Sequence, residues 1–162
     1  MTHKTVVTRP TYRSPTYGVI DFIAGWNLIS FPGIPAITDP VLLIPGGSQI
    51  QLPFYKWNPD TVGYEAVTEI QLGEGYYVRS LSDETLELSI TYASDVVINL
   101  KTGWNLIGGV NYHINVNDPQ DTPDNSILLP IFYGNVKKTV IEHWCAYWVF
   151  ALNDCTLSLE GS

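Results

Sequence analysis

The sequence predicts an all-β protein, two tandem repeats of a small antiparallel β-sandwich or barrel-like module preceded by an extended N-terminal arm. Three observations predict it. Ten Tyr and five Trp stand beside 13 Gly and 11 Pro, a mix suited to strands and turns. No stretch of ten residues keeps a helical period, and the nearest candidate, "PAITDPVLLIPG", is broken up by its prolines. The chain also repeats itself.

"VIDFIAGWNLI" (Val19 to Ile29) aligns with "VINLKTGWNLI" (Val97 to Ile107) at an offset of 78. "YVRSLSDETLEL" (Tyr77 to Leu88) aligns with "WVFALNDCTLSL" (Trp148 to Leu159) at an offset of 71. Phe54-Tyr55 matches Phe132-Tyr133 at the first offset, so the second copy lacks seven residues after that pair. The gap falls on "KWNPDTVGY" (Lys56 to Tyr64), a strand, a turn and a returning strand, and turn tips tolerate deletion well. The predicted organisation is an arm over 1–18, one repeat over 19–92 and a second over 93–162.

The arm, "RPTYRSPTY", repeats Pro-Thr-Tyr and favours an extended chain with no face to fold on. Residues 1–20 hold Lys4, Arg9 and Arg13 and no acid, whereas the rest of the chain sets five basic against 16 acidic residues. Such an arm is drawn to acidic surfaces, copies of this chain included. Lys4, Arg9, Tyr12, Arg13 and Tyr17 are its candidate partner-binding residues, with pinning to a neighbouring subunit as the expectation.

In the opening motif, apolar and polar residues alternate around Gly25 and Gly103, which mark a turn or bulge between two short strands. Trp26 and Trp104 are expected to pack inward, with Asn27 and Asn105 tying down nearby backbone. Losing either Trp is then expected to cost about 3–5 kcal/mol. The closing block reads as a hairpin with Ser82-Asp83 and Asn153-Asp154 in its turns, placing Tyr77 and Trp148 in the repeated core motif.

These blocks resemble a recurrent β-module of bacterial secreted and cell-surface proteins, one shared with phage structural proteins. Its "GWNLISLP" opening is matched from Gly25 to Pro32, and its "GxGYWV" close by Gly73-Glu74-Gly75-Tyr76-Tyr77-Val78. The second repeat departs from the close with Cys145-Ala146, but keeps Tyr147-Trp148-Val149 and the ending "TLSLEG". The resemblance implies an accessory, non-catalytic β-domain, and architecture more than function.

Chemistry-bearing residues are sparse. The only histidines are His3, His113 and His143, and none has a counterpart in the other repeat. "EHWCAYW" sets His143 and Cys145 on one face of a strand, a possible dyad, yet no further ligand completes a zinc set. Cys145 and Cys155 are expected to be buried, unpaired thiols. Asp118, Asp121 and Asp124 recur at three-residue spacing, but the Gly and closing Glu of a calcium loop are missing, so a solvated acidic loop is expected. Tyr55, Trp57, Tyr64, Tyr112 and Tyr133 are candidates for stacking on sugars, against the alternative of ordinary cross-strand packing.

A net charge of −8 repels phosphate and argues against nucleic acid. No run of 18 apolar residues suggests a membrane helix, and "MTHKTVVTRPTYRSPTYG" has no apolar signal core. The functional expectation is a structural protein with no enzymatic activity and no cofactor: a phage virion component such as a capsid decoration (cement) protein, bound to capsid subunits or to itself. The alternative is a secreted or cell-surface β-module that binds glycan or protein.

Overall fold

The computed structural model describes the backbone of residues 12–161 and the side chains of residues 16–161. The first half runs through strands β1 (Tyr12–Phe22), β2 (Gly25–Ser30), β3 (Gly33–Pro35), β4 (Tyr55–Asn58), β5 (Gly63–Ala66), β6 (Gly75–Ser80) and β7 (Glu84–Ala93). The second half runs through β8 (Asp95–Leu100), β9 (Gly103–Gly108), β10 (Ile114–Asn115), β11 (Gln120–Thr122), β12 (Ile127–Tyr133), β13 (Val136–Lys138), β14 (Val140–Ile141), β15 (Ala146–Ala151) and β16 (Cys155–Glu160). The one helix among the described residues, α1 (Pro40–Leu43), is a single turn capped by the Asp39 carboxylate. Among the described residues all strand pairs are antiparallel, and none of the sheets closes into a barrel.

In the first half, the sheet β1-β7-β3 faces the sheet β2-β6-β4-β5. Their inner residues form one core, with Phe22, Phe31, Phe54, Tyr76 and Ile90 each nearly inaccessible to water. In the second half, β11-β16-β8 faces β13-β12-β15-β9 around Ile107, Ile131, Ile141, Tyr147 and Leu157. The aligned strands pair in matching register: Ile20 lies opposite Leu86 as Ile98 lies opposite Leu157, and Trp26 opposite Arg79 as Trp104 opposite Phe150.

Four sequence expectations need correction. The closing block is not a hairpin, because β6 and β7 belong to different sheets, as do β15 and β16. The chain arches from one layer to the other, so inner residues on both sides of the turn meet across the core instead of along a ladder. The arm does not extend to residue 18. β1 begins at Tyr12 and pairs with β7 of the same chain, from Tyr12 opposite Ala93 onward, so backbone hydrogen bonding has drawn seven of those residues into the body.

The gap is six residues, not seven. Tyr55 pairs with Tyr77 while Phe132 pairs with Trp148, so Tyr55 corresponds to Phe132, and buried Phe54 to buried Ile131. Twenty-two positions separate the first pair and sixteen the second, so six residues are missing from the β12–β13 hairpin. Finally, Trp26 and Trp104 do not pack inward: they are 51% and 43% exposed.

The halves are stitched together reciprocally. Ser30 N donates to Trp144 O, and Gly108 N donates to Gly73 O, both at 3.0 Å. Ile29 bridges to Cys145 while Ile107 bridges to Glu74. Each contact is the other's image under the two sequence offsets, the pattern of a two-fold interface held within one chain. At the junction only small residues fit. A Cβ on Gly108 would stand 2.1 Å from Ser30 Cβ, and one on Gly75 would stand 2.8 Å from Ala146 Cβ.

Candidate functional site: an exposed aromatic face

Alternation decides where the motif tryptophans point. Successive strand residues face opposite ways, so Trp26 shares a side with Leu28, and Asn27 with Ile29. Asn27 and Ile29 take the core side, at 8% and 4% exposure. The Asn27 amide donates to the carbonyls of Ile23, Gly25 and Val78 and accepts from Ile23 N, closing the arch at Gly25 (φ 107°). Asn105 repeats this with Lys101 and Gly103 (φ 103°). Asp83 accepts from Ala24 N, and Asp154 accepts from Thr102 N and Oγ1, bracing the same two arches. Those bonds pull the Asp154 carboxyl below its ordinary value. Both indoles are left outside.

They do not stand alone. Rings touch in a continuous series across both halves: Trp26 on Tyr77 (5.0 Å between centroids), Tyr77 on Tyr64 (5.8 Å), Tyr64 on Trp57 (5.1 Å), Trp57 on Trp148 (5.3 Å) and Trp148 on Trp104 (6.4 Å). Tyr55 joins at Trp26, and Phe132 and Phe150 join at Trp104. Most contacts are tilted or edge-on, the geometry ring quadrupoles prefer. Two grooves open along this face. One of about 450 Å³ is lined by Trp57, Tyr64, Trp104, Phe132, Gly134 and Trp148. The other, of about 270 Å³, is lined by Trp26, Tyr55, Tyr64 and Tyr77. Tyr64 is a wall of both.

The β4–β5 hairpin joins the halves. Its Asn58 side chain accepts from Asp60 N and Thr61 N and donates to Glu65, fixing the turn that the sequence marks as Asn-Pro-Asp. Trp57 Nε1 then donates to Trp104 O at 3.0 Å, laying a first-half ring over the second half. The shorter β12–β13 hairpin turns at Gly134 and has no equivalent of Trp57 or Tyr64.

The other sequence candidates fall elsewhere. Lys4 and Arg9 lie outside the described residues, and Tyr12 and Arg13 are described only as β1 backbone. Tyr17 is exposed on β1, and its carbonyl accepts from the Tyr92 hydroxyl. Tyr77 and Trp148 are half-buried within the face. Tyr55, Trp57 and Tyr64 join it too. Tyr133 packs instead on Tyr147, and Tyr112 lies against Gly161. Phe132 and Phe150 were not singled out by the sequence, although their pairing with Trp148 and Trp104 puts them here.

His143 sits in the turn before β15 and Cys145 in the isolated bridge to Ile29, with Trp144 between them at φ 71°, so the two do not lie on one strand face. Burial pushes the Cys145 thiol up, and Glu142 adds to this, which favours its protonated form. Burial and then Asp121 do the same to Cys155, and both cysteines are unpaired. Burial, with His113 stacked 5.1 Å away, holds His143 below the usual histidine value. Asp121 is buried, and its Oδ2 accepts from Ser126 N and Ile127 N, so its carboxylate is already engaged by its own loop. No group of three or more metal-ligating side chains gathers among the described residues.

No known family, curated protein or solved structure matches this chain.

Proposed function

We propose that this is a non-catalytic attachment protein that grips glycan through the aromatic face, with one groove formed by the first copy of a β-module and the other shared between both copies. The observation that carries this reading is the pair of adjoining grooves, each containing the Trp of a Gly-Trp-Asn-Leu-Ile motif, left half in water. A soluble fold leaves so large a ring surface uncovered where something else is meant to cover it. The larger groove, of about 450 Å³, has the size of a small-ligand site, enough for sugar rings. Pyranose C–H faces carry partial positive charge and meet the negative faces of aromatic rings, while sugar hydroxyls stay hydrated.

A glycan array, followed by calorimetry on the hits, tests the reading. Binding that drops at least tenfold in Trp26→Ala/Trp104→Ala, with the fold intact, supports it. An array without hits removes it.

A second reading has its own observation. β1 is an edge strand with Tyr17 and Val19 exposed, and an open edge can pair with a neighbouring subunit. This supports the expectation of a virion component, a capsid decoration protein carried on the particle exterior, or the same module on a cell surface. Deleting residues 1–17 and measuring self-association and capsid binding tests it, and unchanged binding counts against it.

A further inference from the structure

The aromatic face lies in an acidic protein, yet its own strands are nearly free of acid. The two sheets that carry it, β2-β6-β4-β5 and β13-β12-β15-β9, hold one of the chain's 16 Asp and Glu residues. That residue is Glu65, which lies opposite Lys56 on the other side of its hairpin, its carboxylate 4.0 Å from the ammonium. The side shared with Trp26 and Trp104 has no acid at any strand position. It does have cations. Arg79 lies directly opposite Trp26, and Lys137 directly opposite Phe132. Residues directly opposite across an antiparallel pair share a face, so the two charges stand at either end of the series of rings. Both are exposed, and neither has a carboxylate within 4.0 Å among the described residues.

We infer that the aromatic face selects carboxylated glycans, with Arg79 and Lys137 holding carboxylates at its two ends. This inference rests on the glycan reading above and specifies its ligand. The rings supply sequence-tolerant stacking on the sugar faces, and the cations supply discrimination. A planar guanidinium takes a carboxylate bidentately, and the ammonium acts as a point charge. The acid-free strands matter as much as the cations, because a carboxylate on this face would repel the ligand. An acidic peptide shares the charge but not the stacking faces, and is therefore the less suited occupant.

The test uses the whole chain against polygalacturonate, alginate and sialylated oligosaccharides, each beside its methyl ester, which keeps the shape and removes the charge. Poly-glutamate is the peptide control. The inference expects acids to bind about tenfold or more tighter than esters, with the preference fading as salt is raised. Arg79→Gln/Lys137→Gln should erase the preference while leaving ester binding and thermal stability unchanged. Trp26→Ala/Trp104→Ala should weaken acid and ester alike. Equal binding of acid and ester overturns the inference and leaves the glycan reading standing. Binding of neither overturns the inference alone where the glycan array gives hits of another kind, and overturns both where the array is empty. Poly-glutamate bound as tightly, and through Arg79 and Lys137, overturns the inference in favour of an acidic protein partner.

Discussion

Gly73 and Trp144 occupy corresponding positions in the two halves and show how like sequences diverge under one backbone demand. Both precede the strand that carries the ring series, the carbonyl of each accepts a backbone hydrogen bond across the junction, and both have positive φ, 86° and 71°. The first half meets that demand with glycine, which adopts it freely. The second uses the bulkiest residue available, for which such a φ is a genuine outlier. The compensation is across the junction: the Trp144 indole packs on Phe31 and Tyr92 and lies over Gly18, contacts belonging to the first half's core. Strain in one half is held by packing in the other. The two hairpins differ in the same spirit, since only the longer one reaches over to share Tyr64 between the grooves.

The junction gives the sharpest way to break this comparison. Gly108→Ala forces a Cβ against Ser30, and we expect a loss of about 3 kcal/mol in chemical denaturation. Adding Ser30→Gly should recover much of it, less the bond that Ser30 Oγ donates to Cys145 O. A Gly108→Ala protein as stable as the wild type would mean the halves are not closely packed there.

Next comes the strained tryptophan. Trp144→Ala should cost about 2–3 kcal/mol by emptying its site. Trp144→Gly should be milder than Ala by about 1 kcal/mol because glycine relieves the backbone, and Gly73→Ala should be destabilising for the mirror-image reason. If Ala proves the milder replacement at 144, the positive φ is not what the site demands.

The arch amides follow. Asn27→Ala and Asn105→Ala should each cost about 2 kcal/mol by leaving buried backbone groups unpaired. Asn27 should be the costlier, since it alone reaches a strand across the sheet, at Val78 O.

Trp26→Ala and Trp104→Ala should cost only about 1 kcal/mol each, against about 3–5 for a core tryptophan. Thermal melts of both variants separate a surface role from a packing one.

The smallest effect concerns His143, whose Nδ1 is buried with no partner among the described residues. Its folded value lies below 6.5, so between that value and 6.5 the unfolded chain binds more protons. Stability therefore falls as pH drops through that window. His143→Gln should lose less between pH 7.5 and 5.5 than the wild type, measured by melting temperature.

Composition, periodicity and self-alignment were enough to establish strands, a turn or bulge at Gly25 and Gly103, the amide ties at Asn27 and Asn105, and a hairpin of unequal length. These are local properties: alternation, turn chemistry and chain length act within a few residues. The same alternation splits Gly-Trp-Asn-Leu-Ile into two sides, Trp with Leu and Asn with Ile, and does not say which faces in. By hydrophobicity alone Trp and Leu would be chosen, which is why the indoles were expected in the core. Tertiary structure chose Asn and Ile, because the amide inside closes each arch and satisfies backbone groups that nothing else reaches. The destination of Trp144, the placing of Arg79 beside Trp26 and the joining of Tyr64 to Phe132 and Trp148 in one groove were decided the same way, by partners more than fifty residues distant in the chain that only folding brings together.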